Sequence, residues 1–253
     1  MHYYIITGAS SGLGIETARL LLRPDQHVVS ISRTSPISLV RQAEQTGGLF
    51  THIGQDLSKT DELPGCIDRL MEVIAKSSVQ PTSVCLIHNA ANAAPFKHLD
   101  RHTLDEISAS LNLNLLSPVL FSSLWIKRVQ PLHVPKKLIF ISSGSAEYPM
   151  AGMSLYCSAK AGLNMLVRCL HMEQRGLPYG VQVAAVDPGM MDTPMQTAAR
   201  EAREEQFPSS AFFRQSRDNG LLRTPESVAH LLVQWMSDPA SWSEGKRDTI
   251  HKL

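Results

Sequence analysis

Two periods alternate along this chain. Short runs rich in apolar and β-branched residues, at 3–7, 27–32, 49–54, 83–88, 137–142 and 181–186, read as strands of a buried sheet. Between them lie stretches whose apolar residues recur every three or four positions, at 15–22, 36–46, 59–76, 104–129, 154–174 and 225–237. These read as amphipathic helices. Strand and helix alternate throughout, which predicts a parallel sheet with right-handed crossovers and helices on both faces. The expected architecture is a single α/β domain over 1–253, doubly wound, with about seven strands; the last is a short edge strand in the final fifteen residues.

Punctuation supports these boundaries. Thr103 and Glu106 suit a capping box at the start of the long helix. Gly47-Gly48 closes one helix, and Thr224-Pro225-Glu226 opens another with a cap and a proline in its first turn. Residues 195–222 are polar, charged and only loosely helical. The stretch 190–222 is expected to be a mobile segment over the site.

Composition narrows the class. The 253 residues carry a formal charge of +1, which gives no footprint for nucleic acid or a membrane surface. Cysteines at 66, 85, 157 and 169 form no C-x-x-C and no zinc spacing, as in a reducing compartment. No run reaches the ~18 consecutive apolar residues of a membrane span. The chain starts directly on a strand, and a soluble cytoplasmic protein without a metal is expected.

Candidate chemistry lies at the strand ends. The turn Gly8-Ala-Ser10-Ser11-Gly12-Leu13-Gly14 sits between a strand and a helix. There glycines allow close approach of a phosphate to backbone N–H groups, and the helix dipole favours the anion. About twenty residues further on, where an acid would bind a ribose 2′-hydroxyl, stand Ser32 and Arg33. A guanidinium pairs with a 2′-phosphate, so NADP(H) is expected over NAD(H). Small residues at 89–94 let a ligand lie close to the backbone. Pro118 has no N–H to give the carbonyl of Asn114, which is left free, and a kink is expected there. Ser143 follows a strand at its C-terminal end. Tyr156 and Lys160 are four apart on one helix face, and an ammonium beside a phenol lowers its pKa. Ala159, Ala161 and Gly162 allow close packing against another helix or subunit.

These residues resemble the short-chain dehydrogenase/reductase family over nearly the whole chain. The turn Thr7–Gly14 fits T-G-x-x-x-G-x-G, Asp56-Leu57 matches an adenine-contacting position, and His88-Asn89-Ala90-Ala91 stands where the family has N-N-A-G. Asn114, Ser143, Tyr156 and Lys160 match the catalytic tetrad, and Pro188-Gly189 through Met191 and Thr193 match the nicotinamide-holding P-G-x-x-x-T. The segments 31–34, including Arg33 and Thr34, 156–162, 188–196 and 220–225 resemble the sepiapterin reductase and benzil reductase branch. Asp248, after Gly245, lies one residue nearer that glycine than the branch's pterin-holding acid.

The resemblance implies a Rossmann-type fold, with 1–90 mainly the cofactor-binding half and 91–253 the catalytic and substrate-binding half. It implies an NADPH-dependent carbonyl reductase, acting on one of two adjacent carbonyls. Ser143 polarises the carbonyl, Tyr156 gives the proton, and Lys160 lowers the Tyr156 pKa and holds the nicotinamide ribose. The Asn114 carbonyl holds a water in the proton relay, and Asp248 touches the substrate. A homodimer or homotetramer through the Asn114 and Tyr156 helices is implied. The alternatives are an NAD(P)+-dependent alcohol or steroid dehydrogenase, or a non-enzymatic NADP(H)-binding regulator on the same fold.

Overall fold

The computed structural model describes residues 1–238 and 247–249. The first half runs β1 (His2–Thr7), α1 (Gly12–Leu20), β2 (Gln26–Ser32), α2 (Ile37–Thr46), β3 (Leu49–Gly54), α3 (Leu63–Ala75) and β4 (Ser83–His88). The second runs α4 (Leu104–Leu111), α5 (Ser117–Val129), β5 (Lys136–Ile141), α6 (Ser154–Gln174), β6 (Val181–Asp187), α7 (Pro194–Glu201), α8 (Ser210–Asp218), α9 (Pro225–Ser237) and β7 (Arg247–Thr249). The strands pair in parallel in the order β3-β2-β1-β4-β5-β6-β7. The direction of winding reverses between β1 and β4, so the loops after these strands part and leave a crevice at their C-terminal ends.

Strand alternation sends neighbouring side chains into two cores. Tyr3 and Ile5 of β1 join Leu86, Phe140, Phe121 and Trp125 under α3, α5 and α6. Ile6 joins Val28, Ile87, Ile139, Val186 and Trp235 under α1 and α9. Both faces of β1, β4, β5 and β6 are therefore dry, which is why these strands read as continuous apolar runs.

The helix boundaries follow the local chemistry. Thr103 accepts from Glu106 N–H at 3.2 Å while the Glu106 carboxylate accepts from Thr103 N–H at 2.8 Å, completing the capping box. Gly47, at φ 71°, ends α2, and Thr224 accepts from Ser227 N–H at 3.1 Å to start α9. The stretch 104–129 is not one uniform α-helix. Between α4 and α5, Asn112–Leu116 forms a π-helical turn, and Ser117 N–H reaches back five residues to the Asn112 carbonyl. Widening the ladder by one residue just before Pro118 absorbs the proline's missing donor without a break.

Two stretches bear on further expectations. Leu104–Val129 is long and apolar enough to cross a membrane by length and composition, although no unbroken apolar run exists. Its Asn114, Ser117, Pro118, Phe121, Ser122 and Trp125 are buried in the domain. The loosely helical stretch 190–222 contains two helices, α7 and α8. Phe207 between them is fully buried and stacks on Phe96 with ring centroids 4.8 Å apart.

Candidate active site

The crevice begins with backbone geometry. Gly8, at φ +71°, donates its N–H to Ile31 O at 2.8 Å, which turns the chain sharply out of β1. A Cβ on Gly8 would meet Ala90 Cα at 2.8 Å, and one on Gly14 would meet Gly8 O at 2.4 Å and Asn89 Nδ2 at 2.5 Å. Neither position accepts a side chain. Asn89 Nδ2 donates to Thr7 O and Gly8 O at 3.1 and 3.0 Å, and the Thr7 hydroxyl accepts from the N–H groups of Asn89 and Ala90 at 3.0 and 3.1 Å. The β1 and β4 turns are thus one hydrogen-bonded unit.

Ser10 and Ser11 are exposed on this turn, and Ser11 precedes α1 in an extended conformation. Leu13 is in the core, so it can offer a ligand only its backbone. Gly12 faces Thr193 across the crevice, with 3.6 Å between the Thr193 methyl and a Cβ placed on the glycine. Thr193 also caps α7, accepting from Gln196 N–H at 3.4 Å. Gly189 turns at φ +75°, and Met191 is held by the backbone around Arg223, which donates its N–H to Met190 O at 3.1 Å. Pro188 lies between β6 and this turn. A cradle of bare glycine backbone at a helix N-terminus, closed by Thr193 on the far side, fits the phosphates and nicotinamide of a dinucleotide.

At the outer end of the crevice, Arg33 and Thr34 are exposed after β2. The Ser32 hydroxyl donates to Thr34 O at 2.9 Å, which shapes that loop. Asp56, after β3, accepts from the Ser58 hydroxyl and N–H at 2.7 and 3.0 Å. Its carboxyl is held below the ordinary range by those bonds to Ser58 and then by the charge of Arg33. Leu57 is buried in the core beside it.

Of the expected catalytic residues, Ser143, Tyr156 and Lys160 cluster beyond the end of β5, and Asn114 is tied to the loop after β4. Asn114 is buried, with its side chain facing the loop after β4: Oδ1 accepts from Asn92 N–H at 2.9 Å, and Nδ2 donates to Asn92 O at 2.7 Å and Ser110 Oγ at 3.3 Å. Its carbonyl lies in the π turn, with Pro118 at the position that would have capped it. Ser143 follows β5 in extended backbone and reaches Tyr156 by a side-chain hydrogen bond. Lys160 lies beneath, its Nζ 5.5 Å from the Tyr156 ring centre and donating to Ile141 O at 2.7 Å.

The electrostatics depart from expectation. The nearby Lys160 does not bring Tyr156 below its ordinary value. Burial pushes the Tyr156 phenol well above its ordinary value; the hydrogen bond from Ser143 opposes this and the Asp187 charge adds to it. Lys160 itself is pushed down to about 8 by burial, with Asp187 acting against that. Desolvation therefore outweighs the pairing that i, i+4 spacing promises. Both groups hold their protons at neutral pH.

Three participants escaped the sequence reading. Thr7 ties the two turns, and its signal is its place as the last strand residue before the glycines. His88 stands where an asparagine was expected. It is buried against Phe140 and Phe121, with Nε2 2.9 Å from Ser122 Oγ, and burial, then the charge of Lys160, push it down to about 3. Asp187 precedes Pro188 directly. Asp248 is displaced from its expected role: it is buried, accepts from the Trp235 indole at 3.1 Å, and pairs in register with Val186, which faces α1 and α9. That is the sheet face opposite α6. Gly245, used to place it, lies outside the described residues.

Above Tyr156, Ala93, Phe96, Met153 and Phe207 form a small apolar cluster, flanked by Met150, Met195 and Phe213. It forms a wall beside the phenol suited to an apolar or aromatic molecule.

Comparison with known proteins agrees with this geometry. The family model for short chain dehydrogenase matches residues 2–204. Benzil reductase ((S)-benzoin forming) of Bacillus cereus is 34% identical over 90% of this chain and 91% of its own. That of Bacillus subtilis is 34% identical over 92% of each. A 3beta-hydroxysteroid dehydrogenase of Eggerthella lenta is 27% identical over 95% of this chain and 88% of its own. Among solved structures, a short chain dehydrogenase from Burkholderia cenocepacia in complex with NADP superposes with a TM-score of 0.76 at 24% identity, covering 98% of this chain and 95% of that one. With its sheet, glycine turn and Ser143–Tyr156–Lys160 cluster in place, the chain belongs to the short-chain dehydrogenase family of oxidoreductases.

Proposed function

We propose that the chain is an NADP(H)-dependent carbonyl reductase that reduces one carbonyl of a vicinal diketone. One observation carries the reading: Ser143, Tyr156 and Lys160 cluster at the crevice, with Asn114 tied to the loop after β4, in a chain 34% identical to two benzil reductases across nine-tenths of its length. A pure cofactor binder has no use for a buried phenol with a serine on its hydroxyl.

The turn Gly8–Gly14 with Asn89 and Ala90 holds the cofactor's phosphates, and Arg33, Thr34 and Asp56 hold its adenosine end. Pro188, Gly189, Met191 and Thr193 hold the nicotinamide. The cofactor, when bound, supplies the hydride. Ser143 orients and polarises the substrate carbonyl. Tyr156 keeps its proton because its site is dry and donates it as the oxygen becomes basic. Lys160 holds positive charge beneath the ring, and the Asn114 carbonyl holds a water from which protons return. The partly buried rim of the Phe96–Phe207 cluster, Met150, Met195 and Phe213, favours substrates with a flat apolar arm. Exposed Leu104, Leu116, Met165 and Met172 on α4, the π turn and α6 support self-association there into a dimer or tetramer.

The test is loss of NADPH absorbance with benzil, 1-phenyl-1,2-propanedione, sepiapterin and a simple monoketone, with NADH as control. Fast oxidation with the diketones and NADPH supports the reading. Turnover confined to a sterol or sugar alcohol with NAD(P)+ replaces it with the dehydrogenase alternative. Cofactor binding without turnover replaces it with a regulator.

A further inference from the structure

Asp187 ends β6 one residue before the nicotinamide-side turn, and strand register determines where it points. Ile141 of β5 pairs with Val186 of β6, and both side chains enter the core under α1 and α9. The next residues, Ser142 and Asp187, therefore face α6. The Ser142 hydroxyl donates to Asn164 of α6 at 2.6 Å, in keeping with that direction. One helical turn earlier, Lys160 donates to the Ile141 carbonyl. Carboxylate and ammonium thus occupy the same end of the β5–β6 pair on the same face. Asp187 is 7% exposed. Its Oδ1 accepts from Gly189 N–H at 3.0 Å, and its Oδ2 lies 3.6 Å from where a Cβ on Gly144 would be.

We infer that Asp187 is a positioning residue: its buried carboxylate is the fixed counter-charge that keeps Lys160 protonated in the dry floor of the site, and it thereby sets the upper pH limit of activity. An ammonium taken out of water loses its proton more easily unless an anion is fixed nearby. Lys160 feels both influences, burial downward and Asp187 upward. The same carboxylate favours the neutral form of Tyr156, so one anion keeps donor and ammonium protonated together.

The other charged groups around Lys160 do not supply this. His88 of β4 is neutral and opposes the ammonium when charged. On α6, Tyr156 keeps its proton, and neither it nor Cys157 brings a carboxylate. On α4, Glu106 pairs with Lys97 at 2.7 Å and Asp105 is exposed. Lys127 and Arg128 of α5 are in its last turn, where Arg128 pairs with Asp68. Lys136 and Lys137 open β5 at its other end, and Glu147, beyond the turn after Ser143, is exposed.

Asp187→Asn tests the charge alone, because the amide oxygen can still accept from Gly189. The first readout is the unfolding midpoint of the apoprotein against pH, which needs no substrate. With Lys160 at about 8 when folded and 10.5 as its ordinary value, the folded state binds fewer protons at this group between them, so the Lys160 contribution to stability rises with pH there, while the opposite contribution of the buried Cys66 and Cys85 thiols is common to both proteins. In the variant this rise starts about one pH unit lower, the scale of one lost opposite charge. The second readout rests on the reductase reading: the high-pH limb of kcat/KM moves down by the same interval, and Asp187→Glu restores it. Superimposable unfolding profiles overturn the inference, whether or not any substrate turns over. A shifted unfolding profile with an unmoved kinetic limb overturns the claim about the pH limit. Should the Asn variant not fold, Asp187→Ser, whose hydroxyl also accepts from Gly189, carries the same comparison.

Discussion

The crevice has two walls built on different physics. On the β1–β4 side, Thr7, Gly8, Gly14 and Asn89 leave no room for a side chain and satisfy one another's backbone groups at 3.0–3.1 Å. Shape is fixed there by sterics and hydrogen bonds between neutral groups. On the β5–β6 side, Tyr156, Lys160 and Asp187 are all ionisable and nearly dry. What matters there is which groups carry protons, and burial decides that more than pairing does. The first wall is expected to be indifferent to pH and intolerant of atoms; the second tolerates isosteres and responds to charge.

Removing one oxygen from the second wall separates the two most sharply. Tyr156→Phe fills the same space, so the glycine wall is untouched and cofactor binding, read by fluorescence quenching, stays near wild type. Turnover falls at least ~100-fold, the scale of a lost general acid. A variant that turns over normally would remove Tyr156 from the chemistry. One that loses both turnover and cofactor affinity would show that the walls are not independent.

His88 tests where the pH-sensitive wall ends. It belongs by position to the β4 turn, yet it is ionisable and pushed down to about 3 from 6.5. The unfolded chain takes up a proton that the folded chain refuses, so stability present above pH 6.5 is lost as pH falls toward the folded value. Between about pH 6.5 and 4.5, above the carboxylate range, the loss is on the order of 2–3 kcal/mol at 1.4 kcal/mol per unit. His88→Asn should flatten urea-unfolding stability over that window. His27 and His52, also pushed down by burial, remain as background in both proteins. An unchanged slope would mean that His88 accepts a proton in the folded state.

The two walls were unequally legible in the sequence. The glycine turn, the capping box at Thr103, the Asn114–Pro118 offset and the Tyr156–Lys160 spacing were readable because each is a local rule of backbone geometry. The central strands were readable because both faces are dry. The direction of the Tyr156 shift was misread, because i, i+4 spacing reports proximity and says nothing of desolvation. Asp248 was placed by its count from Gly245, but its side-chain direction depends on pairing with β6, which spacing alone does not contain. The π turn was anticipated only as a kink. The helices in 190–222 showed only as loose patterning in polar sequence, since one deeply buried residue, Phe207, anchors them.

Thr7→Val returns to the first wall. The substitution keeps the branched shape and removes the acceptor for two N–H groups, Asn89 and Ala90. Two donors lose their partner, each at about 1–3 kcal/mol if water does not reach it. Denaturant unfolding should show a loss of about 2 kcal/mol, with a matching rise in the cofactor dissociation constant and no change in the pH dependence of either. A pH-dependent penalty would mean that this wall also holds a charge.

The smallest effect lies where the two kinds of physics meet, at Arg33. Its guanidinium is exposed beside the loop of Asp56 and Ser58, so it is held by charge but solvated. A bidentate pair with a 2′-phosphate is strong in a dry site, but solvent screening and the adjacent Asp56 carboxylate reduce it here. Arg33→Ala should therefore raise the NADPH KM by roughly tenfold and leave the NADH KM almost unchanged, which corresponds to about 1.4 kcal/mol. Because the contact is exposed, the discrimination should shrink as salt rises toward about 1 M, where the screening length falls to about 3 Å. Equal changes for both cofactors would place the 2′-phosphate elsewhere. A tenfold discrimination that resists salt would show that the bound cofactor closes this end of the crevice to water, making it a third region with the burial of the second wall.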